Sequence, residues 1–215
     1  MKHFSELLQG ALTTLEVSFL GVLLGVVGGV VLAIAFQSGS RVLRILVRCQ
    51  VGFARGTPLF IQILIVYFLL PALGLDIPRF LAGVIALGFN SSAYISEMIR
   101  GAITTIPPGQ IEAARALALS RRHRWGHIIL PQVFTLILPP LTVEFAALLK
   151  GSALLSVIGL VELTRTAQQI IGYSFAPITT WIQVGAIYFV MCYALVLVTR
   201  HVQRMTTAAS VGEAL

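Results

Sequence analysis

The chain has 215 residues, of which 57% are hydrophobic and only 11% are charged. Ordinary soluble domains are about 25% charged, and a mean hydropathy of +0.93 leaves more apolar surface than a soluble domain of this size can bury. The net charge of +7 comes without a run of five or more like charges, which excludes a nucleic-acid partner and leaves membrane lipid headgroups as the partner of the basic loops. We therefore predict an all-α polytopic membrane protein whose residues 1–215 form a single transmembrane domain.

Five apolar stretches are long enough to cross a bilayer. A crossing helix needs about 20 apolar residues, and helices satisfy the backbone amides that lipid cannot. The predicted spans lie at about 12–37, 56–75, 80–100, 128–149 and 176–200. Within the fourth span, Pro139 and Pro140 each remove a backbone donor, so we expect that helix to be kinked or partly unwound there.

The basic residues set the orientation. Eleven of the 15 lysines and arginines follow span one, separate spans three and four, or follow span five. The positive-inside rule assigns these segments to the cytoplasm. The N-terminus is therefore predicted outside, the C-terminus in the cytoplasm, and 101–127 as a cytoplasmic loop.

Span one carries glycines at four-residue intervals, namely Gly21, Gly25 and Gly29. Small residues at this spacing let two helix backbones approach closely in lipid. Ordinary packing within the chain explains the pattern, and a moving interface between subunits is the alternative.

Polar groups inside the spans are candidate substrate contacts, because such groups are costly in lipid. The candidates are Glu97, Glu144, Asn90, Ser92 and Tyr94. They would face a polar path and bind the ammonium or carboxylate of a solute. In the alternative interpretation Glu97 is interfacial and pairs with Arg100, and the serines bond to helix backbone.

The loop 101–127 has an internal pattern. Residues 105–110 predict a turn with Thr105 as a helix cap, and 111–119 predict a short alanine-rich helix in which Glu112 can pair with Arg115. Its small side chains leave one face low enough to enter a groove on another protein. A helix lying on the membrane surface is the alternative.

Glu112-Ala113-Ala114, followed by Ile129-Leu130-Pro131, resembles the EAA loop of ABC importer permeases. Three further segments, at 53–59, 87–97 and 149–156, are similar to segments of the polar amino-acid uptake family within this group. The similarity covers roughly residues 10–200, in the expected order. In one place the chain departs from the pattern: Ala118 stands where the family loop usually has glycine. If that position needs a left-handed turn, alanine costs about 1 kcal/mol, and the helix is expected to end a little later.

The resemblance implies a type I ABC importer transmembrane domain, which translocates a polar amino acid across the bacterial cytoplasmic (inner) membrane. Such permeases work in pairs, with an identical copy or a paralogue, and a periplasmic or lipoprotein solute-binding protein delivers the solute. Cytoplasmic ATPase subunits would dock on the loop helix, at Glu112, Ala113, Ala114, Arg115 and Ala118.

No cofactor, metal or catalytic residue is expected in this chain, and ATP and Mg would be bound by the partner ATPase. The sequence contains no G-x-x-x-x-G-K-[ST] phosphate loop. The alternative function is a secondary amino-acid transporter driven by an ion gradient through Glu97 or Glu144. An intramembrane enzyme is disfavoured because the spans hold no zinc-binding pair or nucleophile–base dyad. The residues leave open which amino acid is carried.

Overall fold

The computed structural model describes the backbone of residues 3–212 and the side chains of residues 3–203. Throughout this part every regular element is helical, which confirms the all-α prediction. The α-helices are α1 Phe4–Gln37, α2 Arg41–Gly56, α3 Leu59–Ala72, α4 Arg79–Thr105, α5 Pro108–Ala116, α6 Arg121–His123, α7 Leu130–Gly151, α8 Leu163–Ser174 and α9 Pro177–Gly212. A π-helical segment, Arg124–Ile129, connects α6 to α7, and a 3₁₀ segment, Ser152–Ile158, follows α7.

Several of these helices have the length and composition of membrane spans. Three qualify individually in the described residues: Phe4–Gln37, Arg121–Ile158 and Pro177–Gln203. The pair α2 and α3 would make a fourth span, bent by 116° at the break between them. Helix α4 has 27 residues, but the polar run Asn90-Ser91-Ser92 at its centre lowers its hydropathy. The protein therefore crosses the membrane more than once.

Helix α2 was not predicted, because its four arginines made the segment look like a cytoplasmic loop. The helix begins after Ser40, whose side chain accepts a hydrogen bond from the Leu43 amide at 3.4 Å. Its charged and apolar residues lie on separate faces, and an average over the segment hides that separation. The predicted second span begins three residues late in the structure, at Leu59.

The partial unwinding expected near Pro139 was wrong, whereas the alternative expectation of a kink there stays a prediction. Helix α7 runs without interruption from Leu130 to Gly151, with Pro139 and Pro140 inside it. Proline fixes φ at a value that a helix accepts, so losing two donors does not by itself unwind the chain. The hydroxyl of Thr142 also bonds to the Leu138 carbonyl at 2.9 Å. The irregular turn lies instead in the π-helical segment before α7.

Helices α1 and α4 make the closest packing of the bundle, through the glycines of α1. A Cβ atom on Gly25 would lie 2.7 Å from the Cβ of Ser91, and one on Gly29 would lie 2.7 Å from the Cγ2 of Ile95. Real contacts are never that short, so these positions require glycine. The stripe therefore packs two helices of one chain, as the simpler interpretation held. A buried apolar core beside it includes Val17, Ile63, Val84, Leu87, Leu148 and Leu155.

Glu162 anchors the segment between the 3₁₀ turn and α8. Its fully buried carboxylate accepts hydrogen bonds from the amides of Thr164 and Arg165, each at 2.8 Å, and from the Tyr188 hydroxyl at 3.3 Å. The hydroxyl of Thr14 in α1 accepts from the Leu163 amide at 3.1 Å. Burial raises the pKa of the Glu162 carboxyl, and the hydrogen bonds it accepts lower it in part. This carboxylate fastens α8 to α9.

Candidate functional site

The loop 101–127 folds back on the bundle and presents α5. Behind α5 lies a buried apolar cluster of Ala102, Ile106, Ile129 and Val133, against which Ile99, Ile103, Ile111, Trp125 and Ile137 pack. Helix α5 starts with Pro108 in its first turn, and its N-cap residue is Pro107. The Thr105 cap was therefore wrong, and its hydroxyl bonds to the Gly101 carbonyl at 3.0 Å. Through Ile111, α5 is therefore connected to the apolar cluster between α4 and α7.

The two faces of α5 have different surroundings. Ala114 is only 3% exposed and faces the bundle, where the Gln132 side-chain amide donates to the Gln110 side-chain oxygen at 2.8 Å. Glu112, Ala113 and Arg115 are exposed on the other side. The residues predicted to form one docking surface therefore lie on two different faces of α5. Ala114 seats the helix, whereas its neighbours are free to contact another protein.

The C-terminus of α5 depends on a left-handed residue. Ala118 has φ of +52°, its amide donates to the Arg115 carbonyl at 2.9 Å, and the Leu119 amide donates to the Ala114 carbonyl at 3.1 Å. This pair of bonds is the Schellman motif, whose left-handed position usually holds glycine. The backbone at Ala118 therefore has the left-handed conformation that the sequence analysis considered for this position. The helix does not end later than expected, since its last residue is Ala116.

The expected pair between Glu112 and Arg115 is absent. Among the described side chains, ion pairs join His3 to Glu6 and Arg100 to Glu97 only. Both loop residues are exposed, and an exposed i,i+3 pair contributes only a few tenths of a kcal/mol, too little to order two long side chains. Their charges are left available to a partner.

The polar residues of α4 form part of a buried network whose centre is Gln62. The Gln62 side-chain amide donates to the carbonyls of Ala54 and Thr57, at 2.9 and 3.1 Å, and its oxygen accepts from Asn90 at 3.0 Å. Gln62 is 1% exposed and Asn90 is 7% exposed. The network closes the break between α2 and α3, where backbone carbonyls have no helical partner. Gln62 was not among the predicted site residues, although a lone amide inside an apolar run is a signal that the sequence contains.

The other candidate substrate contacts do not meet at one point. Ser92 accepts from the Gln50 side chain at 3.2 Å and donates to the Phe89 carbonyl at 2.7 Å. Tyr94 is half-buried. Glu144 of α7 is 8% exposed, and its carboxyl lies near the Ser91 hydroxyl, which makes no hydrogen bond of ordinary geometry to the described residues. Asn90 and Ser92 thus belong to the α2–α4 contact, and Glu144 lies at the α4–α7 contact.

Glu97 pairs with Arg100, as the alternative interpretation held. The Arg100 Nε donates to the Glu97 Oε1 at 3.0 Å. The Arg100 side chain is 44% exposed and the Glu97 side chain is 28% exposed. This carboxylate is already neutralised by its own helix. It is therefore a weaker candidate for a solute cation than Glu144, which has no ion-pair partner among the described residues.

The family comparison agrees with this arrangement of long helices and a presented loop helix. The model of the binding-protein-dependent transport system inner membrane component matches residues 25–207. The match covers most of the chain, and the protein belongs to this family. It is a membrane component of a transport system.

Individual relatives and a solved structure show which members of the family the chain is similar to. The chain is similar to the glutamine transport system permease protein GlnP of Escherichia coli (strain K12), at 36% identity over 92% of this chain and 91% of that one. It is 34% identical to the L-cystine transport system permease protein TcyB of Bacillus subtilis (strain 168), over 94% and 88%. The crystal structure of an amino acid ABC transporter with histidines superposes with a TM-score of 0.88, at 38% identity and 95% coverage of both chains. The resemblance to ABC permeases is confirmed.

Proposed function

We propose that this chain is the permease subunit of an ATP-driven importer that carries a polar amino acid across the bacterial inner membrane. Five crossings with the N-terminus outside would place α5 in the cytoplasm. ATP and Mg would be bound by separate ATPase subunits that grip α5, while a second permease, identical or paralogous, completes the path. A periplasmic or lipoprotein solute-binding protein would deliver the solute. The names of the relatives, which transport glutamine and cystine, support an amino-acid substrate.

One observation carries the proposal: α5 buries one face at Ala114 and exposes the opposite face at Ala113. Ile111 packs against the apolar cluster and Ala114 is buried. Ala113 is exposed between Glu112 and Arg115, neither of which forms an ion pair with a described side chain. Ile111 connects α5 to the apolar cluster between the ends of α4 and α7, so a partner that grips the exposed face would act on a helix in contact with both. The ion-gradient alternative is less favoured, because the chain belongs to a binding-protein-dependent family and because Glu97 is held by Arg100, which leaves that alternative only Glu144.

The solute path is proposed along α4 and α7, where Glu144 offers a carboxyl group. Buried acids in membrane spans mark substrate paths more often than structural sites. Glu144 would attract the ammonium group that all amino acids share, with Asn90, Ser92 and Tyr94 as further contacts if the helices separate. The side chains give no preference for one amino acid, so selectivity would rest mainly with the delivering protein.

The test is ATP hydrolysis by the purified complex, stimulated by solute and binding protein. Ala113→Leu adds bulk to the exposed face of α5 and should reduce stimulated hydrolysis at least ten-fold without changing the yield of folded chain. The matched control is Ala72→Leu, an exposed alanine at the far end of α3, which should leave stimulation unchanged.

A third variant separates docking from folding. Ala114→Leu forces bulk into a buried site and costs about 1–3 kcal/mol by overpacking, so it should lower thermal stability as well as coupling. Full stimulation in Ala113→Leu, or an equal loss in Ala72→Leu, would refute the docking role of α5.

A further inference from the structure

Three arginines converge on one aromatic ring at the end of the bundle that carries α5. The guanidinium carbons of Arg44, Arg48 and Arg100 lie 5.8, 5.7 and 5.3 Å from the centre of the Phe36 ring. The ring belongs to α1, two arginines belong to α2 and the third belongs to α4. We name these four residues the Phe36 arginine cluster.

The cluster carries more positive charge than its neighbours neutralise. Arg100 is paired with Glu97, but neither Arg44 nor Arg48 has a carboxylate within ion-pair distance among the described side chains. Contact with an aromatic face holds a cation in place without supplying a counter-charge. Two guanidinium groups are therefore fixed side by side and free to bind an anion. A phosphate group matches the planar fork of donors that arginine presents.

Helix α2 also exposes an apolar stripe next to the arginines. Val42, Ile45, Leu46 and Phe53 are exposed by 66, 51, 59 and 40%, and their spacing puts them on one face of the helix. Arg41, Arg44, Arg48 and Arg55 fall on a second face. The third face holds the buried Val47 and Ala54 and packs on the bundle.

We propose that the Phe36 arginine cluster and the apolar stripe of α2 together bind an anionic phospholipid of the leaflet on the α5 side. Its phosphate would lie against Arg44 and Arg48, and its acyl chains along Ile45 and Leu46. A free phosphate ion would use the arginines but not the stripe, so the combination selects a lipid. An amphipathic helix with basic and apolar faces is the arrangement that lies at a bilayer surface. This inference goes beyond the transport function and holds whichever solute is carried.

The test is native mass spectrometry of the full-length chain purified in detergent with equal amounts of phosphatidylglycerol and phosphatidylcholine. Wild-type protein should retain phosphatidylglycerol several-fold over phosphatidylcholine. Arg44→Gln with Arg48→Gln should bring that ratio close to one. The matched control is Arg121→Gln with Arg122→Gln, which removes the same charge from exposed positions in the 101–127 loop and should keep the wild-type ratio.

Two further variants keep the proposal testable if the glutamine pair does not fold. Arg44→Lys with Arg48→Lys retains the charge and should retain the preference. Ile45→Ser with Leu46→Ser retains the arginines and should lower the amount of both lipids bound. The proposal is overturned by equal retention of the two lipids on wild-type protein, by an equal loss in the control pair, or by displacement of the lipid with millimolar inorganic phosphate.

Discussion

At the scale of single residues, Ala118 and Phe175 are the two described non-glycine residues with a left-handed φ, and Ala118 lies at the end of α5. Its φ of +52° is a conformation that costs a residue with a Cβ about 1–2 kcal/mol and costs glycine almost nothing. Ala118→Gly should therefore stabilise the chain by about 1 kcal/mol. Thermal unfolding of the purified protein in detergent measures the change.

The same helix supplies the control for this prediction. Ala116 is exposed and helical, one residue before the C-cap Leu117, so Ala116→Gly should destabilise by about 0.5–1 kcal/mol. Opposite signs for the two substitutions are expected. If both glycine variants melted below wild type, the left-handed assignment of Ala118 would be contradicted.

Gln62 is the residue whose loss should affect the interior most. Gln62→Met keeps the volume but removes the donor to the Ala54 carbonyl and the acceptor of Asn90. Leaving buried polar groups unpaired costs about 1–3 kcal/mol, so the melting temperature should fall by several degrees. Gln183→Met, at an exposed position of α9, should change it little. A Gln62→Met variant as stable as the Gln183→Met variant would show that the network contributes nothing.

The sequence predicted these residues unevenly for a physical reason. A left-handed position at Ala118 could be anticipated because the family resemblance supplied the backbone pattern. The sequence marks Gln62 as a lone amide in an apolar run but does not show its role, because that role depends on the break between α2 and α3, which brings the Ala54 and Thr57 carbonyls to it. Ala114 was placed on the docking surface since nothing in the sequence shows which face of a nine-residue helix packs inward.

At the scale of helices, the close contact of α1 with α4 makes the sharpest prediction. Gly25→Ala would put a Cβ 2.7 Å from the side chain of Ser91, so the helices must move apart, at a cost of about 1–3 kcal/mol. Gly172→Ala in α8, where a Cβ meets nothing within 4 Å, should be neutral or slightly stabilising. Thermal unfolding compares them, and equal melting temperatures would contradict the packing of α1 on α4.

Apolar length predicted the helices well where apolar residues run continuously. The predicted spans 12–37 and 80–100 lie inside α1 and α4, and the predicted span 176–200 begins one residue before α9 and otherwise lies inside it. Helix α2 was missed because four arginines on one face lower the mean hydropathy of the segment. Helix α8 was missed because it shares an uncharged stretch with α9. Composition therefore predicts long, continuously apolar helices, whereas short helices and the breaks between them depend on residue patterning and packing that composition does not record.

At the scale of the whole molecule, the five crossings and their orientation remain predictions, and the side of the membrane on which each loop lies tests them. In a chain with Cys49→Ser and Cys192→Ser, a membrane-impermeant thiol reagent should label Asp76→Cys in intact cells and Gly109→Cys only after lysis. Both positions are exposed, so accessibility depends on the side of the membrane. Labelling of Gly109→Cys in intact cells would reverse the proposed topology.

The central claim is that an external, nucleotide-hydrolysing subunit grips the bare face of α5. A photo-reactive amino acid placed at Ala113 tests it directly, by cross-linking in membranes that contain the assembled importer. We expect an adduct between this chain and the ATPase subunit, and none when the same amino acid replaces Ala72. Absence of the adduct at Ala113, or equal cross-linking from Ala72, would contradict the account.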